Sequence, residues 1–393
     1  MARELVKITD ILHRSVPISR FRPEVDVPKA LDTTIVAVVT DIRLGTEPLI
    51  GYGFSSFGRF AQGGLIADRF APRLLRADVL DMLHGDGLAI DPLKAWAVMM
   101  TGEKPGGHGE RCVAVGALDM AIWDLAAKAR QLPLFRLLRQ VFETETSLVS
   151  VPIYAGGGYA FPHNDLACLR EEAERFRTMG FRAMKMKVGA HSLEVDCRRI
   201  ETVLEVFETG DKVAIDAMNA YSSPRVREAA AAFEPYSLRW FEDICDPLDF
   251  ATHRAIASAY RPPISAGEAL FSASDARNLL RYAGLRRGHD VLTFDPAHCY
   301  GIPEYARILA GFLDQGWSAR DFQPHGGHLY SLHVALGFGL GGCECNPHNF
   351  QPFGGLADGT AIVEGEASPP DIPGIGFESR NLLMDLFRQL VQS

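Results

Sequence analysis

RAMKMKVG (residues 182–189), KVAIDAM (212–218) and LRWFEDI (238–244) are short apolar runs that amphipathic stretches separate. Similar runs occur from residue 150 to about residue 346; they are VPIYA, PISAGEA, DVLTFDP, ARDFQPH and GLGGCEC. Strand-like runs that alternate with helical stretches are typical of a parallel βα array, which closes most economically into a barrel. The sequence therefore predicts an α/β protein built on a TIM-type barrel.

Polar side chains stand at equivalent heights on these strands. From the second run to the seventh they recur every 26 to 30 residues, which is about the length of one βα unit. In a barrel the carboxyl ends of all strands face one site, so such residues converge. They are Lys187, Asp216, Glu242, Glu268, Asp295, His325 and, in the eighth run, Glu344. Each alone would more often be structural, but seven in register predict an active site.

Three of these residues, Asp216, Glu242 and Glu268, offer hard oxygen donors on adjacent strands. Carboxylates without sulfur or imidazole ligands suit Mg²⁺ and leave coordination positions open for substrate oxygens and water. Zinc hydrolases on barrels usually bring a His-x-His pair on the first strand, and VPIYAGG has none. The pattern favours a magnesium site over a zinc hydrolase.

Acid and base groups flank the predicted metal. Lys185 and Lys187 lie two apart in one strand, so both point into the barrel. Mg²⁺ and the neighbouring ammonium should lower the pKa of Lys187, which could then act as a base, while Lys185 stays cationic. His325 can be oriented by Asp295 on the neighbouring strand. Two acid/base groups around a metal-bound carboxylate predict removal of a proton α to that carboxylate.

Composition excludes several classes of protein. The chain has 393 residues, 47% of them hydrophobic and 23% charged, with a formal net charge of −9. This charge argues against nucleic acid as the main partner, and an anionic substrate would need local positive charge. No apolar run reaches the roughly 20 residues of a membrane span. The first residues show no secretion signal, and the seven cysteines fit a reducing cytoplasm.

The first third of the chain has a different pattern. Residues 5–11 and 34–44 are predicted to form antiparallel strands, with turn chemistry over residues 45–53. Residues 113–130 are apolar nearly all round, which predicts a buried helix. The glycine-bearing loop at residues 54–64 is either a surface connection or a lid. After residue 354 we expect a proline-rich turn and a last helix that packs back on the N-terminal unit.

The chain resembles the mandelate racemase subgroup of the enolase superfamily over nearly its whole length. The matching motifs are GALDMAIWDLAAKARQLPLFRLL, MKMK, VAIDAMNAY, WFED, ISAGEAL, FDPAHCYGI, QPHGGH and SPPDIPGIG. The resemblance implies a modified (β/α)7β barrel at residues 149–354. An α+β capping domain would consist of residues 1–148, with residues 355–393 returning to it. The implied acid/base residues are Lys187 and His325, with Asp295 as partner of His325; the Mg²⁺ ligands are Asp216, Glu242 and Glu268, and Glu344 is a hydrogen-bonding group near the substrate carboxylate.

Within that subgroup the chain is most similar to D-tartrate dehydratases, which implies conversion of D-tartrate to oxaloacetate and water. Lys185, Tyr159 and Lys104 are candidate substrate-binding residues, and Arg59 and Tyr154 are further possibilities. A dehydratase of another aldarate or aldonate, or a racemase or epimerase of a 2-hydroxy acid, would use the same residues. A binding protein without turnover is a further alternative. The family's habit of symmetric assembly implies a homo-oligomer.

Two positions depart from the family pattern. Met218 stands where the family often has asparagine after the third strand, and Asn219 comes one place later. Asp243 replaces the usual second glutamate after the fourth-strand ligand. The role of Asn219 therefore stays open at this point.

Overall fold

The computed structural model describes residues 5–25, 29, 31–57, 61–85, 87 and 89–392. Its strands are β1 Ile8–Ile18, β2 Leu31–Leu44, β3 Glu47–Phe54, β4 Val151–Gly157, β5 Met184–Lys187, β6 Val213–Asp216, β7 Phe241–Glu242, β8 Ile264–Ala266, β9 Val291–Leu292, β10 Cys343–Cys345 and β11 Glu366–Ala367. Strands β1 to β3 form an antiparallel sheet, and β4 to β10 form a parallel one that β11 joins antiparallel at β4. The predicted fold class is confirmed.

The helices cover the outside of the parallel sheet and one face of the antiparallel sheet. They are α1 Gln62–Leu65, α2 Ala71–Arg76, α3 Pro92–Met100, α4 Glu110–Ala129, α5 Leu134–Val141, α6 Asp165–Thr178, α7 Leu193–Phe207, α8 Ser223–Phe233, α9 Phe250–Ala259, α10 Ala273–Tyr282, α11 Ile302–Leu313, α12 Leu329–Phe338 and α13 Asn381–Gln392. A π-helical turn at Ile66–Phe70 joins α1 to α2. Over the described residues, none of these helices has the length and apolar character that a membrane crossing requires.

Turn chemistry was expected over residues 45–53 between strand segments, and the turn between β2 and β3 takes up only the start of this range, because most of it is strand β3. Only residues 45 and 46 turn. The glycines that suggested a turn serve close packing instead: a Cβ at Gly51 would lie 2.0 Å from the Ala121 carbonyl oxygen, and one at Gly53 would lie 2.3 Å from that of Ala117. Both carbonyls belong to α4, which is buried from Cys112 to Lys128. The predicted buried helix is therefore confirmed, and glycine lets it lie directly on the sheet.

The parallel sheet contains the eight runs in the order of the sequence. Seven are strands, whereas ARDFQPH forms a single bridge from Phe322 to Leu292. Backbone hydrogen bonds still close the barrel at this point: Gln323 N donates to Leu292 O at 2.9 Å, and Gly341 N donates to Phe322 O at 2.9 Å. The expected seventh strand is thus reduced to one bridged residue. It nevertheless holds the residues that follow it beside β9 and β10.

The C-terminal segment packs against the antiparallel sheet. The ring of Phe387 in α13 stacks on that of Tyr52 in β3 at a centroid distance of 4.6 Å. Strand β11 was not predicted from the sequence. Its two residues pair with Val151 and Pro152 of β4. The division into a capping domain at residues 1–148 and 355–393 and a barrel at residues 149–354 stays a prediction.

Candidate active site

Asp216, Glu242 and Glu268 converge at the carboxyl end of the barrel. Asp216 and Glu242 end β6 and β7, and Glu268 follows β8. One oxygen of each carboxylate lies within 4.8 Å of the others. Trp240 Nε1 donates to Glu242 Oε2 at 2.7 Å, and the cation nearest to Glu268 Oε2 is His325, whose Nε2 is 3.2 Å away. Burial and the charges of its acidic neighbours raise the pKa of Glu242 to about 7. Three clustered carboxylates of this kind fit a divalent cation.

Lys185 lies below the three carboxylates, fully buried in the barrel. Its Nζ is 2.6 Å from Glu242 Oε1, 3.4 Å from Glu344 Oε1 and 3.6 Å from Asp216 Oδ2. Burial lowers the pKa of Lys185, but the carboxylates of Glu242 and Glu344 raise it more, so it lies well above its usual value. Lys185 is therefore a fixed positive charge next to the acids.

Lys187 is at the rim of the same cluster, where its Nζ donates to Asp216 Oδ2. The pKa of Lys187 was expected to be lowered, and the structure gives the opposite direction. Burial lowers this pKa, but the contact with the Asp216 carboxylate outweighs burial and raises it. The lower pKa of Lys187 was expected for a protein with Mg²⁺ bound to the Asp216 carboxylate. A divalent cation bound to Asp216 would offset the charge that now raises the pKa of Lys187.

His325 lies at the other end of the acidic cluster. Its Nδ1 is 2.8 Å from Asp295 Oδ2, and its Nε2 is 3.2 Å from Glu268 Oε2. Burial lowers the pKa of His325, but Glu268 and Asp295 raise it more, to about 9. At neutral pH the imidazole is therefore protonated. It points one N–H toward Asp295 and the other toward the cluster.

Ser56 supports this pair, although no sequence pattern indicated a role for it. Its Oγ donates to Asp295 Oδ2 at 3.1 Å, and Asp295 Oδ1 accepts from Ala297 N at 2.7 Å. Ser56 has a φ of 57°, in the left-handed region that few non-glycine residues adopt. The polar loop at residues 54–64 was visible in the sequence. Which of its side chains reaches the barrel depends on this local backbone, which no sequence pattern indicated.

Glu344 and Tyr154 face each other in register on β10 and β4. Burial raises the pKa of Glu344, but Lys185 and His325 lower it more, so this carboxylate stays ionised. Its Oε2 is buried without a hydrogen-bond partner. Tyr154 was a possible substrate contact, but it packs in the barrel floor with Trp240 at a ring distance of 5.0 Å, beneath Lys185. Substrate contact was one of two possibilities for Tyr154, and its packing with Trp240 favours the other, a structural role.

The candidate substrate-binding residues from loops differ in their placement. Tyr159, after β4, lies beside Lys187, whose Nζ is 5.4 Å from the ring centroid. Lys104 is exposed, and in the described part of the chain no hydrogen bond or ion pair joins its side chain to the site. Arg59 lies outside the described residues. The structure thus brings Tyr159 to the site and does not bring Lys104 there.

The two departures from the family pattern are in contact with each other. Asn219 Nδ2 donates to Asp243 Oδ2 at 3.1 Å, and Asn219 N donates to Asp243 O at 2.8 Å. The Met218 side chain is exposed, and the backbone N–H of Met218 donates to Asp216 Oδ1 at 2.7 Å. Asn219 therefore ties the loop after β6 to the loop after β7, while the backbone of Met218 holds a carboxylate of the cluster.

Similar proteins agree with this architecture. An arabinonate dehydratase from Saccharolobus solfataricus is 26% identical over 72% of this chain and 74% of its own length. An L-talarate/galactarate dehydratase from Salmonella typhimurium is 26% identical over 78% of this chain and 72% of its own. The crystal structure of an L-talarate dehydratase from Polaromonas sp. JS666, complexed with Mg and L-glucarate, has a TM-score of 0.69 and 25% identity, covering 94% of each chain.

A magnesium-bound racemase from Streptomyces coelicolor has the same fold, with a TM-score of 0.75 and 24% identity over 96% of this chain and 99% of its own. The family model for enolase C-terminal domain-like proteins matches residues 168–382, which contain all three clustered carboxylates, both lysines and His325. With this match and the barrel described above, the chain belongs to the enolase superfamily, in the family of enolase C-terminal domain-like proteins.

Proposed function

We propose that this protein is a Mg²⁺-dependent acid-sugar dehydratase, with D-tartrate as its substrate and oxaloacetate and water as its products. The observation that carries the proposal is the placement of Lys187 and His325 at opposite ends of one cluster of carboxylates. Lys187 contacts Asp216, and His325 approaches Glu268 at 3.2 Å. Dehydratases of arabinonate and of talarate and galactarate among the relatives support the reaction class.

Asp216, Glu242 and Glu268 would hold the metal. When bound, Mg²⁺ supplies positive charge that stabilises the negative charge growing on the substrate carboxylate as its α-proton leaves. Lys185 adds a fixed ammonium on the same side, and Glu344 accepts a hydrogen bond from a substrate hydroxyl. Both side chains are buried, so they contribute an ordered and water-poor environment in which such charges act strongly.

Lys187 is the base in this proposal. Its Nζ lies at the rim of the cluster, beside the ring of Tyr159, and takes the proton from C2 of the substrate. Lys187 must be neutral for this step. Burial and the neighbouring Lys185 ammonium lower the pKa of Lys187, while the Asp216 carboxylate raises it above its usual value. A divalent cation bound to Asp216 would offset that carboxylate and so favour the neutral amine. Abstraction of the proton leaves an electron pair that can expel a group from C3.

His325 is the acid. Hydroxide is a poor leaving group unless a proton reaches it in the transition state, and the His325 imidazolium provides that proton. Asp295 holds the Nδ1 N–H at 2.8 Å and so directs Nε2 toward the substrate. The contact with the Asp295 carboxylate raises the pKa of His325 and so favours the protonated form. The enol product then ketonises to oxaloacetate.

Aromatic side chains pack together beside the cluster. The rings of Phe57 and Phe350 stack at 4.3 Å, the ring of Tyr159 lies 6.0 Å from that of Phe350, and Lys187 Nζ lies 5.4 Å from the Tyr159 ring. A four-carbon diacid is proposed because its two negative charges match the lysines. The proposed homo-oligomeric state and cytoplasmic location stay predictions.

The test is a screen of the purified protein with Mg²⁺ against D-tartrate, its stereoisomers and longer aldarates and aldonates, read as keto-acid formation. We expect oxaloacetate from D-tartrate and none from the Lys187→Ala variant. Turnover of a hexarate or hexonate but not of tartrate would retain the dehydratase and reject the substrate. No keto acid from any of these acids would reject the dehydratase.

A racemase or epimerase is the second candidate, because Lys187 and His325 could exchange protons at the two faces of one carbon. The same incubation in D₂O separates the two reactions. Inversion with incorporation of solvent deuterium, and no keto acid, would establish the racemase. The dehydratase instead gives keto acid from the first turnovers.

A further inference from the structure

The loop after β1 reaches the rim of the site. It contains the sequence SRFR at residues 19–22. Ser19 O accepts a hydrogen bond from Phe350 N at 2.9 Å, which ties the loop to the segment after β10. The ring of Phe21 lies 6.2 Å from that of Tyr159 and 5.3 Å from that of Phe161. The loop is therefore docked on the same segment that places Tyr159 beside Lys187.

The two arginines of this loop have different surroundings. Arg22 has acidic partners, with Glu171 at 3.5 Å and Glu24 at 3.9 Å. Arg20 is exposed, and within the described ranges no carboxylate lies at ion-pair distance from it. Its guanidinium carbon instead lies 5.7 Å from the centroid of the Tyr159 ring. An aromatic ring alone contributes only about 0.5–1 kcal/mol to holding an exposed cation.

The ring of Tyr159 thus contacts two cations. Lys187 Nζ is 5.4 Å from its centroid, close to the distance of Arg20. Two positive groups against one ring repel each other, and an anion placed between them would relieve that repulsion. The whole chain carries a net charge of −9, so the charge of Arg20, which has no acidic partner among the described residues, is a specific local feature at the mouth of the site.

We propose that Arg20 binds the second carboxylate of a diacid substrate and makes the site selective for aldarates over aldonates. This inference rests on the proposed function and deepens it, because it assigns the residue that recognises the second acid group. The first carboxylate lies at the buried cluster, next to Lys185. The second points out toward the rim, where the planar guanidinium of Arg20 pairs with it through charge-assisted hydrogen bonds. An aldonate has a neutral hydroxymethyl group there and leaves Arg20 unpaired.

The test compares Arg20→Gln with Arg22→Gln in the full chain with Mg²⁺. The substrates are D-tartrate and the threonate that keeps the arrangement at both hydroxyl-bearing carbons but has a hydroxymethyl group in place of one carboxylate. We expect Arg20→Gln to raise the KM for D-tartrate by at least about tenfold, as the loss of a charge-assisted hydrogen bond implies. The kcat with D-tartrate should change much less. Arg22→Gln serves as the matched control and should change the KM for D-tartrate by less than about twofold, since exposed ion pairs contribute little.

Equal rises in KM from Arg20→Gln and Arg22→Gln would overturn the proposal. So would an equal effect of Arg20→Gln on D-tartrate and on threonate. Calorimetric titration of both acids into a His325→Asn background, with and without Arg20→Gln, separates binding from turnover. D-tartrate binding that depends on Arg20 in a protein whose wild type releases no keto acid would retain this inference and reject the proposed function. D-tartrate binding that is independent of Arg20 would reject the inference, whatever the turnover.

Discussion

The protein buries lysines in two regions, and the two sets of surroundings differ. In the seam between α4 and the C-terminal segment, Lys128 Nζ lies 2.6 Å from both Asp124 Oδ2 and Glu378 Oε1. The Asp124 oxygens also accept from the backbone N–H groups of Tyr52 at 3.0 Å and Ile375 at 2.7 Å. Every oxygen of this buried acid has a partner. The seam therefore holds the C-terminal segment in place, and Asp124 has no free oxygen with which to bind a ligand.

The mouth of the barrel is the contrasting region. Lys185 and Lys187 face more carboxylates than they can neutralise, and the Oε2 oxygen of Glu344 is buried without a hydrogen-bond partner. Unsatisfied buried oxygens cost stability and persist where a site needs them for a ligand. A buried lysine by itself thus indicates neither stability nor catalysis. What distinguishes the two regions is whether the acids around the lysine are satisfied.

The largest expected effect is at the mouth. Lys187→Ala should lower kcat about 10²- to 10⁴-fold, because it removes the proposed base. The same change should leave the unfolding temperature near that of the wild type, since Asp216 keeps a second cation, Lys185 Nζ at 3.6 Å. Steady-state kinetics and a thermal melt on the same preparation check both parts. A variant that loses activity only in proportion to unfolded protein would contradict the assignment.

The corresponding change in the seam is Lys128→Met, which keeps much of the side-chain volume. It leaves Asp124 buried without its cation, and we expect about 3–5 kcal/mol less free energy of unfolding. The KM and kcat of the folded fraction should stay at their wild-type values. Denaturant unfolding and kinetics at low temperature measure this. A change in KM would show that the seam is not independent of the site.

The difference between the regions also predicts a pH effect on stability. His333 of α12 lies beside the seam. Its Nδ1 accepts from Phe135 N, its Nε2 lies 2.9 Å from Ile375 O, and burial lowers its pKa to about 3. In the unfolded chain a histidine takes up its proton below about pH 6.5. Stability from neutral His333 is therefore complete above pH 6.5 and is lost as the pH falls from there toward 3.

The measurement is the free energy of unfolding between pH 7 and pH 4 for the wild type and His333→Gln. The wild type should lose stability more steeply than the variant over this range. Parallel curves would show that His333 does not contribute to the acid sensitivity. His325, with its raised pKa, has the opposite sign and cannot produce the same trend.

The smallest expected effect is that of Ser56→Ala. It removes one hydrogen bond, the 3.1 Å contact to Asp295 Oδ2, while the His325–Asp295 contact stays. We expect a loss of about 0.5–1.5 kcal/mol in transition-state stabilisation, or up to about tenfold in kcat/KM. Ser55→Ala is a suitable control, because Ser55 bonds to Thr33 and Thr34 rather than to Asp295. Equal losses in both variants would point to the loop fold instead.

The sequence predicted the positions of site residues that follow from the repeat of strands around the barrel. One residue per βα unit was enough to bring Asp216, Glu242 and Glu268 together, because parallel strands end at one level. It did not predict the site residues that lie on loops of the antiparallel sheet. Ser56 and Arg20 reach the site through β1 to β3, and their approach depends on packing between two sheets. Tyr154 shows a further limit, because an inward side chain can fill the floor of a barrel as well as line its mouth.

Gly51 and Gly53 were predicted to belong to a turn for a related reason. Gly51 and Gly53 have the composition of a turn, yet they lie in a strand because α4 passes too close for a Cβ. A single sequence does not reveal which element will pass over a strand. The seventh run, ARDFQPH, was expected as a strand and forms a bridge at Phe322 only, which still places His325 beside Asp295.

The most direct test of the account is the fate of the C2 hydrogen of D-tartrate. The protein with Mg²⁺ is given D-tartrate that carries deuterium at both C2 and C3, in ordinary water, and the product is analysed by NMR and mass spectrometry. We expect oxaloacetate that has lost the deuterium of C2, a slower rate than with unlabelled D-tartrate, and no product with Lys187→Ala. Tartrate recovered with inverted configuration and without oxaloacetate, or oxaloacetate formed equally fast by Lys187→Ala, would contradict it.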